Sequence, residues 1–228
     1  MTGRERAARA ALAAFAVAAV VHLAAQLAGS ATADHLTKPV LVPLLAACAA
    51  LRGGPRLLIA ALLCGWAGDV LLQLDGDTSF LAGMAAFAAG HVCYLTLLTT
   101  RGAFVDRRRA ALTAAGYAVV WLVALVVVWP GLPSGLRIPV AAYSLLLTAM
   151  AAAAAGLGPR ATAVGGALFL LSDTLLATRL ADLPQLPAAD FWIMLSYLGA
   201  QYLLATGRYG STKPFVQPAR TSSVCAPP

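Results

Sequence analysis

The sequence predicts an all-α fold, a polytopic membrane helix bundle of eight transmembrane helices with both termini cytoplasmic. Three observations carry that reading. The 228 residues are 61% hydrophobic and only 11% charged, with a mean hydropathy of +0.81, where a soluble domain has about 25% charged residues. The apolar residues gather into eight runs of near-bilayer length. The basic residues alternate from loop to loop, as membrane topology requires.

A span needs about 20 apolar residues, with a range of about 17–25. That ruler places spans at 10–28, 37–51, 57–74, 79–99, 110–129, 138–156, 162–181 and 190–207. The first resembles a secretory leader, with Arg4, Arg6 and Arg9 before it and Ala31-Thr32-Ala33 after it. Its run is longer than the usual apolar region of a leader and matches the runs that follow, so it reads as a retained helix. The second span is short. Pro39 and Pro43 fall in its first turns, where a missing N–H is tolerated. Gly53-Gly54-Pro55 separates spans two and three, Pro130-Gly131-Leu132-Pro133 spans five and six, and Gly158-Pro159 spans six and seven. Residues 1–9 read as a basic cytoplasmic N-terminus, 10–207 as the transmembrane domain, and the Pro-rich 208–228 as a flexible cytoplasmic tail.

Eight spans put thirteen Lys and Arg residues on one side and only Lys38, Arg137 and Arg179 on the other. The positive-inside rule makes the rich side cytoplasmic. Asp34, Asp75, Asp77, Asp182 and Asp190 fall on the external side, in agreement. The net charge of +7 therefore reflects topology and not a nucleic-acid surface, which would concentrate basic residues on one domain. Cys48, Cys64, Cys93 and Cys225 form no CxxC pair and read as small hydrophobes. His22, His35 and His91 lack the close spacing of a zinc motif, so neither a metal nor a cofactor is expected. The Ala- and Arg-rich composition suggests a bacterial chain of the cytoplasmic membrane.

Polar residues inside the spans carry the functional signal. Asp69 and Asp173 each precede an x-Leu-Leu pattern within an apolar run. A carboxylate at mid-membrane costs about 2.5–3.5 kcal/mol on insertion scales, which marks it as functional by default. Both lie in the outer half of outward-running spans, about 8 and 12 Å from the outer ends. The structural alternative is a packing acid bonded to backbone or to Ser172. On span four, Phe80, Gly83, Phe87, His91 and Tyr94 share one helical face. His91 and Tyr94 then face the interior, as a partner of an aspartate or as satisfied core residues. Gly165, Phe169 and Asp173 repeat that logic on span seven, and Tyr197 and Gln201 form an i, i+4 polar stripe on span eight. Lys38 either snorkels to the interface or pairs with an aspartate or a lipid phosphate. His22 and Gln26, about a turn apart on span one, suggest no role. The Asp-x-Leu-Leu segments, four spans apart, hint at a duplicated four-helix unit.

Lys38-Pro39, Gly68-Asp69-x-Leu71, the span-four pattern from Phe80 to Tyr94, Ser172-Asp173 and Tyr197-x-x-x-Gln201 follow one another in an order that resembles the YhhN-type lysoplasmalogenases. The resemblance covers about residues 36–205. It implies a membrane hydrolase that cleaves the vinyl ether of a lysophospholipid substrate to a fatty aldehyde and a glycerophospho-alcohol. It also implies that Asp69 and Asp173 are the catalytic pair, with Lys38, His91, Tyr94, Ser172, Tyr197 and Gln201 binding substrate or supporting them. Vinyl-ether hydrolysis needs one acid to protonate carbon and one carboxylate to stabilise the resulting cation, much as glycosidases divide the work. Two carboxyls in one low-dielectric cavity titrate as a pair and hold one proton between them. Two other classes compete: a proton-coupled transporter, which also uses intramembrane acids, and a non-catalytic lipid-binding protein. Against the transporter, no span has a Gly/Pro break near its middle.

Overall fold

The computed structural model describes residues 2–207. Among them are eight helices: α1 Gly3–Leu27, α2 Ala31–Leu51, α3 Arg56–Leu71, α4 Asp77–Thr100, α5 Arg107–Val128, α6 Ser134–Leu157, α7 Arg160–Leu180 and α8 Ala189–Thr206. Six are long and apolar enough to cross a membrane: α1, α2, α4, α5, α6 and α7. The 16-residue α3 is short of the length. α8 has the length but not the apolarity, because it carries Asp190, Tyr197 and Gln201. The tail expected at 208–228 lies outside the described residues.

The largest departures from the spans read in the sequence are the starts of α1 and α2. α1 starts at Gly3, where Thr2 Oγ1 accepts from the Glu5 N–H at 3.3 Å and Glu5 Oε2 accepts from the Thr2 N–H at 3.0 Å. This reciprocal cap carries the helix through Arg4, Arg6 and Arg9. α2 starts at Ala31, six residues before the apolar run at 37, so Pro39 and Pro43 lie within the helix and not in its first turns. Contacts to α1 stabilise the added turn: Gln26 Nε2 donates to Asp34 Oδ1 at 2.9 Å, and His22 Nδ1 lies 2.7 Å from Thr37 Oγ1.

An internal proline removes the donor for the carbonyl four residues back. For Pro39 and Pro43 those carbonyls belong to His35 and Pro39. Both find donors on α3: Gln73 Nε2, just past its end, reaches His35 O at 3.3 Å, and Trp66 Nε1 reaches Pro39 O at 2.9 Å. The prolines are tolerated because a neighbouring helix supplies what they take away.

Short connections make successive helices antiparallel neighbours. The pairs α1–α2, α3–α4 and α7–α8 pack most extensively, α4 also packs on α6, and α8 touches α1, α2 and α3. The main core joins Leu41, Leu45, Leu62, Leu98, Met150, Phe169 and Leu204. Outward surfaces are apolar: Val17 and Val20 on α1, and Leu112, Val119, Val123 and Val126 on α5, are all more than half exposed. Such a surface is stable against lipid and not against water. α5 is peripheral, held by α6 and slightly by α7.

Candidate active site

Asp69, in the last turn of α3, is 4% exposed. Tyr197 on α8 donates its hydroxyl to Asp69 Oδ2 at 2.6 Å. The Tyr197 oxygen accepts from Gln201 Nε2 at 3.2 Å, and Gln201 Oε1 accepts from the Tyr94 hydroxyl at 2.7 Å. Three helices thus feed one hydrogen-bond chain that ends on a carboxylate. The chain requires a glycine on α3. A Cβ at Gly65 would stand 2.8 Å from Gln201 Nε2 and 3.3 Å from the Tyr197 hydroxyl oxygen.

Asp173 on α7 is held in the same way, with Tyr143 of α6 donating its hydroxyl to Oδ2. His91 Nε2 lies 3.1 Å from the Tyr143 oxygen. The Tyr143 proton is committed to Asp173, so the oxygen accepts from His91 and the imidazole carries its proton on Nε2. The His91 ring packs edge-on against Phe169, with centroids 4.7 Å apart.

Aromatic rings fill the space between the two assemblies. Phe87 and Phe169 meet Tyr197 edge-on, at centroid distances of 6.0 and 5.5 Å. Phe87 also presses on Gly68, where a Cβ would stand 2.5 Å from the ring. Asp173 and Tyr143 both lie within the electrostatic reach of Asp69, and no direct hydrogen bond joins the carboxyls among the described residues. The acids differ in access. Asp173 and Tyr143 line a mostly apolar groove of about 80 Å³ between α4, α5, α6 and α7, whose other polar lining includes Ser144 and Thr174 and whose walls include Phe80, Met84, Phe87, Ala124, Leu147 and Leu180. Asp69 does not line it, although Phe87, which does, packs on the adjacent Gly68.

The other expected residues divide between the site and its frame. His91 and Tyr94 face the interior, His91 one residue removed from Asp173 through Tyr143 and Tyr94 two residues removed from Asp69 through Gln201 and Tyr197. Ser172 bonds neither acid. Its hydroxyl donates to the Ile193 carbonyl at 3.0 Å and ties α7 to α8. Lys38 is half-buried, lies within the electrostatic reach of Asp69, and forms no ion pair among the described residues. Sequence reasoning missed Tyr143. The available signal was Tyr143-Ser144, an adjacent polar pair in the middle of the sixth apolar run. Ser144 accepts from Trp121 Nε1 at 3.0 Å and fixes α5 to α6 beside the groove.

The model of the YhhN family matches residues 33–208, from the first turn of α2 to just past the end of α8. The chain belongs to the YhhN family. Among curated relatives of this YhhN-family chain, lysoplasmalogenase TMEM86B of Homo sapiens is 33% identical over 174 residues, which cover 71% of the chain and 67% of the relative. Lysoplasmalogenase TMEM86B of Sus scrofa is 36% identical over 152 residues, covering 64% of the chain and 60% of the relative. No solved structure matches. Both aspartates and all their hydrogen-bond partners fall inside the family match, whereas α1 falls outside it.

Proposed function

We infer that this YhhN-family chain is an integral membrane hydrolase that opens the vinyl ether of lysoplasmalogen-like lysophospholipids. The products are a fatty aldehyde and a glycerophospho-alcohol. The observation that carries the reading is the pair of tyrosine-held buried carboxyls, one of them lining a mostly apolar groove. Membership of a family with lysoplasmalogenase relatives supports the same chemistry.

In the mechanism, Asp173 acts as the acid because it alone of the pair lines the groove. Its proton passes to the vinyl carbon remote from oxygen, and the ether oxygen shares its lone pair to form an oxocarbenium ion. Asp69, as carboxylate, stabilises that cation across the aromatic wall. Water then adds to the carbon bearing oxygen, and its proton passes to the Asp69 carboxylate. The resulting hemiacetal collapses to the aldehyde as its hydroxyl proton goes to Asp173 and the leaving alcohol oxygen takes the proton from Asp69, which returns both groups to their starting states. Low dielectric around the pair strengthens each of these electrostatic effects. The fatty chain lies in the α4–α7 groove, and Lys38 draws the lipid phosphate toward Asp69.

All eight helices cross the membrane in this reading, with both termini cytoplasmic. Reporter fusions at 75 and at 107 should report opposite sides, and agreement between them would overturn the topology. For the chemistry, purified protein should release aldehyde from a lysoplasmalogen with no ion gradient present. Asp69→Asn and Asp173→Asn should each abolish release while leaving expression intact. Turnover retained in both variants would remove the mechanism, and gradient-dependent uptake without aldehyde would favour a transporter.

A further inference from the structure

A second buried polar cluster lies between α1 and α2, at the end of the bundle where α3 joins α4, and the hydrolytic chemistry does not use it. His22 is 0% exposed. The Thr37 hydroxyl donates to the Ala33 carbonyl at 2.6 Å, so its oxygen accepts from His22 Nδ1 at 2.7 Å. That places the proton of the neutral imidazole on Nδ1 and leaves Nε2 as a lone-pair acceptor. Nε2 points at Asp34 Oδ1, 3.5 Å away, and has no hydrogen-bond partner. Gln26 Nε2 donates to the same Asp34 oxygen at 2.9 Å, while Gln26 Oε1 is also unpartnered. Acceptors outnumber donors in this cluster. Two lone pairs face each other across 3.5 Å, an arrangement that positive charge at the carboxylate relieves.

The carboxylate is open to such a charge, because the Asp34 side chain keeps 29% of its exposure. Lys38 follows at i+4 on the same face of α2. It lies within the electrostatic reach of both His22 and Asp69. A negative and a positive group one helical turn apart complement a small zwitterion. We propose that Asp34, held by Gln26 and faced by the His22 lone pair, binds the primary ammonium of a phosphoethanolamine headgroup while Lys38 binds its phosphate. A primary ammonium offers N–H donors that form charge-assisted bonds to a carboxylate. A trimethylated ammonium offers none, so the cradle favours ethanolamine over choline headgroups. This assignment rests on the hydrolase reading and adds to it a headgroup preference set partly by α1, a helix outside the family match.

The test compares three 1-alkenyl substrates on the purified full chain: the glycerophosphoethanolamine, the glycerophosphocholine and the headgroup-free glycerol. For Asp34→Asn, the kcat/KM ratio of the ethanolamine over the choline substrate should fall about tenfold, the worth of one charge-assisted bond. For Lys38→Met, both phosphorylated substrates should fall by a similar factor relative to the alkenylglycerol, and Asp34→Glu should recover part of the preference. Ratios unchanged in both variants, or all three substrates losing equally, would overturn the cradle. If the wild type releases aldehyde from none of the three, the hydrolase reading fails by itself. The cradle is then tested by direct binding of a saturated 1-alkyl glycerophosphoethanolamine, whose Kd should rise about tenfold in Asp34→Asn. An unchanged Kd would refute it.

Discussion

Tyr197→Phe deletes one oxygen from the chain that runs Tyr94–Gln201–Tyr197–Asp69, and its cost can be worked from that geometry. The ring keeps its edge-on contacts with Phe87 and Phe169, so packing survives. Two hydrogen bonds disappear, the 2.6 Å bond to the Asp69 carboxylate and the 3.2 Å bond from Gln201. The bond to the charged group is worth about 1.5–3 kcal/mol, or roughly a tenfold to hundredfold loss of kcat if Asp69 stabilises the transition state. Gln201 Nε2, left buried without its acceptor, destabilises the fold by about 1–3 kcal/mol more. Tyr94→Phe provides the comparison. It removes the neutral 2.7 Å bond to Gln201, further along the same chain. Its cost should be about 0.5–1.5 kcal/mol, a twofold to tenfold effect. The assay is aldehyde release from a lysoplasmalogen by protein in nanodiscs, with thermal melting to confirm folding. A folded Tyr197→Phe protein within twofold of wild type, or a Tyr94→Phe protein equally impaired, would refute the proposal that Asp69 is tuned through Tyr197.

Gly68→Ala should lower the melting temperature, because its Cβ would stand 2.5 Å from the Phe87 ring and overpacking costs about 1–3 kcal/mol; Phe87→Leu in the same chain should restore part of the loss. Ala124→Trp fills the wall of the groove and should raise KM for long-chain substrates about tenfold. Its neighbour Val123, 58% exposed toward lipid, should accept Trp with no change in KM. Equal effects at 123 and 124 would show that the groove does not hold the chain.

The acids were legible in the sequence because a carboxylate in an apolar run has no inexpensive explanation. Tyr143 was not, because tyrosine is common in membrane segments and only its bond to Asp173 sets it apart. The polar stripes on α4 and α8 were read from spacing, but spacing gives a face and not a partner. Hence His91 and Tyr94 were placed on the interior side and Tyr197 on the same polar stripe as Gln201, while the bond from Tyr197 to Asp69 and the whole of Tyr143 were not foreseen. The start of α2 was misread for a related reason. Thr32-Ala33-Asp34-His35 looks like interfacial loop by composition, and only pairing with His22 and Gln26 makes it helix. The same omission left His22 and Gln26 without a role. α3 and α8 depart from the simple span pattern because one is short and the other carries site residues.

The two prolines of α2 have a mechanical consequence. The carbonyls they free accept from Trp66 on α3 and Gln73 just past its end, and Asp69 stands between those two donors, three residues after one and four before the other. The two bonds index α3 against α2 as two teeth index a ratchet, fixing both rotation and height. A slip by a single position would turn the Asp69 carboxyl by about 100° and break its alignment with Tyr197. What looks like damage to one helix thereby sets the aim of the acid on its neighbour.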